Sequence, residues 1–258
     1  AAGPRRRERA VRAGPGPRPP PLPGDRRRRL VHSLTVAIRT AVFDVGETLV
    51  DETRIFARWA DRFGIPHMAF FGTIGGVLAS GGTLTDGFRL LVPGFDLAAE
   101  SARWRAEDPD GEREHFGEAD LYPDVRPAFA AMRASGISLV IAGNQPPEAG
   151  PTLTAMDLGV DGIGISDVWG VKKPEPAFFD RVLSLVRAAS PGTEPGEIVY
   201  VGDRVDNDVL PARAAGMRTV LLRRGIYGYR HAAAEEAARA DAVLDDLHQL
   251  ADWIGRQN

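Results

Sequence analysis

Cysteine is absent from the 258 residues. That excludes a disulfide framework, a thiolate zinc site and a thiol nucleophile, and it fits a reducing compartment. A cytoplasmic location is therefore expected. Long apolar runs are missing too. The longest, residues 68–79, is mostly apolar over twelve residues, against the roughly 20 that a bilayer-spanning helix needs. No membrane partner is expected. Lysine is almost missing: Lys172 and Lys173 stand against 30 Arg. Asparagine occurs only at Asn144, Asn207 and Asn258. A residue type that survives such a bias at one or two positions invites the question of what chemistry needs it there. There is no G-x-x-x-x-G-K-[ST] phosphate loop, no H-E-x-x-H helix and no G-x-S-x-G elbow, so the enzyme classes those motifs mark find no support. The five His (32, 67, 115, 231 and 248) show no ligand spacing.

What is present divides into two unequal parts. Residues 1–29 carry ten Arg and seven Pro against Glu8 and Asp25, a net charge of +8. The remaining 229 residues hold 22 basic and 33 acidic side chains, a net of −11. A segment so charged and Pro-rich buries too little apolar area to offset its ordering entropy. Residues 1–33 are expected to be a disordered tail. A nucleic-acid or acidic-membrane arm, or a polyproline ligand at Pro20–Pro23, is the functional alternative; no nucleic-acid partner is expected. Elsewhere the composition, 43% hydrophobic and 26% charged overall, is that of a globular protein.

From Leu34 onward short β-branched and apolar runs alternate with helical patterns. Strands are predicted at 36–43, 137–142, 162–165, 197–201, 219–222 and 242–244. Helices are predicted at 126–135, 176–189 and 206–215; Pro176 suits a first helical turn, and Gly136 and Gly216 close the other two. Such alternation implies an α/β fold with a doubly wound parallel sheet. Residues 54–121 break the alternation. Helical periodicity recurs at 55–63, 68–79, 85–91 and 97–105 with no convincing strand, so an inserted α-helical cap is expected there. The core would then be 34–53 plus 122–258. Gly72, Gly75 and Gly76 suggest close helix packing within the cap or, as the alternative, room left for a ligand, and Trp59, Phe70, Phe71 and Trp104 suggest its interior.

Ligands of an open parallel sheet bind beyond the carboxyl ends of its strands. Asp44 follows the first predicted strand. Gly143 and Asn144 follow the second, Lys173 lies beyond the third, and Asp203, Asp206 and Asp208 follow the fourth. Each acid has a bland reading: Asp44 as a turn residue, Asp206 as a helix cap. Brought together without a cation, Asp44, Asp203 and Asp208 would repel. Hard oxygen donors of this kind suit Mg²⁺, often completed by a substrate phosphate. Lys173 would supply that phosphate with a point charge.

Four stretches carry a family resemblance. VFDVGETLV (42–50) resembles an apolar strand followed by D-x-D-x-T. LVIAGNQ (139–145) resembles a strand ending in Ser or Thr, then Asn. VKKPEPAFF (171–179) resembles K-P-x-P-x-x-F. VYVGDRVDNDVLPARAAGM (199–217) resembles G-D with a second Asp five residues on and a small-residue helix ending A-G. In this order and at these strand ends the sequence resembles the haloacid dehalogenase-like (HAD) hydrolase superfamily, mostly Mg²⁺-dependent phosphatases with an aspartate nucleophile. The resemblance runs from about Val36 to Ile254. It implies that Asp44 is the nucleophile and a metal ligand, that Asp203 and Asp208 hold the metal directly or through water, and that Lys173 shields the phosphoryl oxygens from the nucleophile. It places Gly143 and Asn144 beside the phosphoryl group, and it implies a small phosphorylated substrate.

Two positions depart from the pattern. The second motif-one Asp, the general acid, is Gly46, whose backbone carbonyl can still ligate the metal. Losing a general acid costs about 10²–10⁴ in rate. The second-motif hydroxyl is lost at Gly143. Glu47 is the neighbouring rival for the missing acid. Three functions stay open on this reading: a Mg²⁺-dependent phosphatase, a catalytically silent descendant that binds a ligand or protein, and a metal-free 2-haloacid dehalogenase. The last lacks motif-four acids, which Asp203 and Asp208 supply here.

Overall fold

A computed structural model describes residues 36–109 and 115–258; the tail expected over 1–33 lies outside them. Six strands form one sheet: β1 (Thr40–Phe43), β2 (Ser138–Gly143), β3 (Gly162–Ile165), β4 (Ile198–Gly202), β5 (Arg218–Leu222) and β6 (Ala242–Leu244). Their order is β3-β2-β1-β4-β5-β6, and every neighbouring pair is parallel. This is the doubly wound α/β sheet expected.

Period-two alternation sorts the strand side chains onto two faces. Ala41, Phe43, Leu139, Ile141, Val199 and Val201 enter one apolar cluster, and Val42, Val140, Ala142, Ile198 and Tyr200 enter another. Both faces are covered, so the strands read as continuous apolar runs. Phe43 is fully buried and its ring lies 4.7 Å from that of Phe129; truncating it to Ala would cost about 3–5 kcal/mol.

The helices are α1 (Thr53–Arg62), α2 (His67–Ala79), α3 (Leu84–Leu91), α4 (Leu97–Glu107), α5 (Val125–Ala134), α6 (Ala149–Ala155), α7 (Ser166–Trp169), α8 (Pro176–Ala189), α9 (Leu210–Ala214), α10 (Gly225–Ala232) and α11 (Leu247–Gly255). Helices α1–α4 share an apolar cluster of their own, built on Trp59, Phe70, Ile74, Phe88, Phe95 and Trp104. Trp59 meets Trp104 edge-on at 4.8 Å, and Phe88 stacks on Phe95 at 4.5 Å.

Three sequence expectations are corrected. The first strand begins at Thr40, not Val36; its neighbours β2 and β4 begin opposite Thr40, and Ile38 bonds instead to the Asn258 side chain. The helix expected over 206–215 opens as a π turn, Val205–Val209, before α9. Pro211 has no N–H to continue a regular ladder there. Gly72, Gly75 and Gly76 are not packing contacts: a Cβ at any of them would meet nothing within 4 Å.

The switch in strand order falls at β1, with β2 on one side and β4 on the other. The crevice that this arrangement opens lies at the carboxyl ends of β1 and β4. Asp44 and Asp203 each immediately follow one of those strands.

Candidate active site

Asp44 leaves β1 with its N–H bonded to Val201 O at 2.9 Å, which ties it to β4. Its carboxylate Oδ1 lies 2.8 Å from Lys173 Nζ. The same Nζ is 2.6 Å from Asp208 Oδ1. Lys173, Asp208 and Asp203 are 4%, 1% and 3% exposed and Asp44 is 8% exposed, so the charges meet in a nearly dry place. Burial alone would favour neutral lysine. The carboxylates of Asp208 and Asp44 outweigh it and hold the ammonium charged, its pKa well above the ordinary value.

The acids feel the opposite balance. Burial first, then the charges of Asp208 and Asp44, pushes Asp203 well above the carboxylate range. Burial pushes Asp208 up to about 6, against the pull of Lys173. Asp203 Oδ2 is buried with no hydrogen-bond partner. Oxygens of Asp44, Asp203 and Asp208 all lie within 4.8 Å of one another. Three close carboxylates, one with an orphaned oxygen, are donors that a hard divalent cation fits; one lysine does not neutralise them.

Asn144 lines both cavities of the site and is tied to Lys173. Its side-chain Oδ1 accepts from Lys173 N at 2.8 Å and its Nδ2 donates to Lys173 O at 3.1 Å. Both polar atoms of the fork fix the lysine backbone, whose bond to Pro174 is cis. Gly143 ends β2 against Asp44. A Cβ there would lie 2.6 Å from Asp44 Oδ1 and 3.2 Å from Val45 Cγ2. The missing hydroxyl is thus also a missing side chain beside Asp44.

Gly46 has the second such contact. An ideal Cβ on it would lie 2.6 Å from Glu52 Oε1 and 2.9 Å from Glu52 Cδ. The space a side chain at 46 would occupy holds the Glu52 carboxyl. Glu52 is the N-cap residue of α1, yet its side chain makes no capping bond; Asp51 Oδ1 accepts the Thr53 N–H at 2.8 Å. Burial, and then the charges of Glu47, Asp44 and Asp51, pushes the Glu52 pKa up to about 8.

Glu47 is engaged elsewhere. It adopts φ 53° in the left-handed region. Its Oε2 accepts from Tyr122 OH at 2.5 Å, and its Oε1 from Glu52 N at 3.2 Å. Arg224 lies over the Tyr122 ring at 4.4 Å and pairs with buried Asp124 at 2.6 Å. This chain of contacts fixes Glu47 as a support for the Glu52 backbone.

Two cavities meet at the site. One, of about 800 Å³, is lined by Asp44, Gly46, Lys173, Asp203 and Arg204 among others. The other, of about 580 Å³, is walled by Phe56, Trp59, Phe88 and Phe95. Glu52, Leu84, Thr85, Asn144 and Gln145 line both. His115 lines the second cavity. His67 is half-exposed and bonds to Asp61. Glu52, Tyr122 and Arg224 were missed by motif reasoning, because none occupies a motif position.

Comparison with known proteins agrees with the geometry. The sequence model of the HAD-hydrolase-like family matches residues 170–250, the stretch with Lys173, Asp203 and Asp208. A phosphoglycolate phosphatase of Yersinia pestis is 29% identical over 244 residues, covering 85% of this chain and 94% of that protein. A glyceraldehyde 3-phosphate phosphatase of Methanopyrus kandleri is 36% identical over 109 residues, 41% of this chain and 45% of that one. A magnesium-bound HAD-hydrolase of Bacillus subtilis shares the fold with a TM-score of 0.60 at 18% identity, over 84% of this chain and 99% of that one. The chain is a hydrolase of α/β type. Over residues 170–250 it matches the haloacid dehalogenase-like family, and along most of its length it is similar to a phosphatase.

Proposed function

We propose that the chain is a Mg²⁺-dependent phosphate monoester hydrolase that works through an aspartyl-phosphate at Asp44 on a small phosphorylated metabolite. The observation that carries this reading is the buried set Asp44–Lys173–Asp208 with the orphaned Asp203 oxygen beside it. The phosphatases similar to this chain support it. Asp44, Asp203 and Asp208 would hold the cation, with the Gly46 carbonyl as the further ligand the family pattern offers. Once bound, Mg²⁺ supplies positive charge against the phosphoryl oxygens.

The chain's own residues do the rest. Asp44 attacks phosphorus, splitting one hard displacement into two easier ones. Lys173, clamped through its backbone by Asn144 and through Nζ by Asp208, holds the Asp44 carboxylate in one orientation. The same ammonium offsets charge as the phosphoryl oxygens approach. Positioning and fixed charge supply most of what such a transfer needs. Gly143 lets the phosphoryl group and nucleophile come close without a side chain between them. Asp203 and Asp208 have no part in a metal-free dehalogenase, so that reading is set aside.

The test is release of inorganic phosphate from acetyl phosphate, p-nitrophenyl phosphate and a metabolite panel, with Mg²⁺ and with EDTA. Mg²⁺-dependent release that Asp44→Asn abolishes, with the melting temperature kept, is the expected result. Undiminished release by that variant would overturn the mechanism.

A further inference from the structure

Transfer from an alkyl phosphate to Asp44 expels an alkoxide, which needs a proton as it leaves. The groups around Asp44 are mostly committed. Lys173 Nζ is shared between Asp44 and Asp208. Asp208 Oδ2 accepts from Arg204 N at 2.9 Å. Glu47 is held by Tyr122 and by the Glu52 backbone. Arg204 pairs with Asp206 at 2.6 Å. Glu52 remains. Its carboxyl accepts no hydrogen bond among the described residues, and although Glu52 is the N-cap of α1 its side chain makes no capping bond.

Its place is specific. Oε1 fills the volume of a Gly46 side chain, two residues beyond the nucleophile. Glu52 also lines both cavities, at the junction between the one that holds Asp44 and Lys173 and the one walled by Phe56, Trp59, Phe88 and Phe95. A substrate with its phosphoryl group at Asp44 and its carbon skeleton in the second cavity carries its bridging oxygen past this junction. A short or polar side chain at 46 would exclude the Glu52 carboxyl; glycine admits it.

We infer that Glu52, reaching in from the N-cap position of α1, is the proton donor and acceptor of this active site, in the space left by Gly46. The inference rests on the phosphatase reading above. In the first half-reaction an Asp44 oxygen bonds to phosphorus, the bond from phosphorus to the ester oxygen breaks, and its electron pair takes the proton from the Glu52 carboxyl. The alcohol leaves and Glu52 is a carboxylate. In the second, a water oxygen attacks phosphorus and gives one proton to Glu52, while the bond to Asp44 breaks with its pair returning to that carboxylate. Hydrogen phosphate leaves and the starting state is restored.

The test compares wild type, Glu52→Gln, Glu52→Ala and the double variant Glu52→Ala with Gly46→Asp. Each is assayed in Mg²⁺ with an alkyl phosphate and with p-nitrophenyl phosphate, and each is checked by thermal melting. Glu52→Gln, which keeps the shape, should lower alkyl turnover about 10²–10⁴-fold. With the aryl ester, whose leaving group needs no proton, it should give a burst of p-nitrophenol stoichiometric with enzyme, followed by slow turnover. Adding Gly46→Asp to Glu52→Ala should restore at least tenfold of the lost alkyl activity, because the clash at 46 is gone and a carboxyl returns. A purely structural role for Glu52 gives neither the burst nor the rescue. Full alkyl turnover in Glu52→Gln overturns the assignment of Glu52 and leaves the phosphatase reading standing. No Mg²⁺-dependent phosphate release by wild type overturns both.

Discussion

Replacing Gly143 by Ser writes back the hydroxyl that the family pattern has at the end of the second strand. On sequence grounds that should help. The structure says it harms. The new Cβ would lie 2.6 Å from Asp44 Oδ1, where ordinary contact begins near 3.4 Å, so about 0.8 Å must be found. The Val45 side chain and backbone lie 3.2 and 3.4 Å from the same point. Asp44 Oδ1 is already paired with Lys173 Nζ at 2.8 Å, and that nitrogen is held by Asp208. The carboxylate therefore swings out of line instead of retreating along its own axis. A misplacement near 1 Å costs about 10²-fold in rate. The stability cost is small, about 1 kcal/mol, because the atom displaced is the end of a side chain and no buried group is removed. The assay is kcat for p-nitrophenyl phosphate in Mg²⁺, read with a melting curve on the same preparation. Gly143→Ala should fall by a similar factor. A kcat for Gly143→Ser equal to or above that of wild type would refute the argument that this glycine is required by its closeness to Asp44.

Mg²⁺ at 100 times its Kd should stabilise the protein by about 2.7 kcal/mol, seen as a rise in Tm that EDTA reverses; Asp203→Asn should blunt it, and no shift in wild type would remove the cation site. Gly46→Asp alone should slow alkyl phosphates instead of speeding them, because its Cβ displaces the Glu52 carboxyl; faster turnover by the single variant would show that the slot is not shared. Asp120 accepts from Arg54 Nε at 2.7 Å and from Gly117 N at 2.7 Å, and the Arg54 bond holds its pKa below the ordinary 3.8. A depressed carboxylate contributes stability that is present above the unfolded pKa and lost as pH falls through the folded one. Asp120→Asn should therefore cost about 2 kcal/mol at neutral pH, with the gap from wild type closing only in acid below 3.8; a gap constant with pH in denaturant titrations would contradict this. Removing residues 1–33 should leave Tm unchanged, since their composition offers little apolar area to bury; a large fall would refute that reading.

The sheet was legible because its physics is local. β-branched runs such as Ile198–Val201 admit few conformations, and an alternation of strand and helix leaves parallel pairing as the only compact arrangement. The ends of those strands gave Asp44, Lys173, Asp203 and Asp208 as one set, and the structure brings their charges together. The rare-residue bias had already pointed to Lys173 and Asn144. Other features were not legible. Asn144 fastens the Lys173 backbone, a bond across 29 positions that depends on how two loops face each other. The π turn at Val205–Val209 depends on Pro211 within a packed loop.

Gly46 marks the boundary most clearly. The sequence by itself determined that an acid is missing two residues after Asp44, since a motif position is read by counting. It could not determine that Glu52 enters that space. Five residues of chain lie between them, and the return depends on the tight loop in which Glu47 N bonds to Val50 O at 2.8 Å. It depends also on Tyr122, which bonds to Glu47, and on Arg224, which lies over the Tyr122 ring, both from other parts of the chain. A glycine leaves no side chain to specify what fills its place. Packing of distant segments decides that, and only the tertiary structure records it.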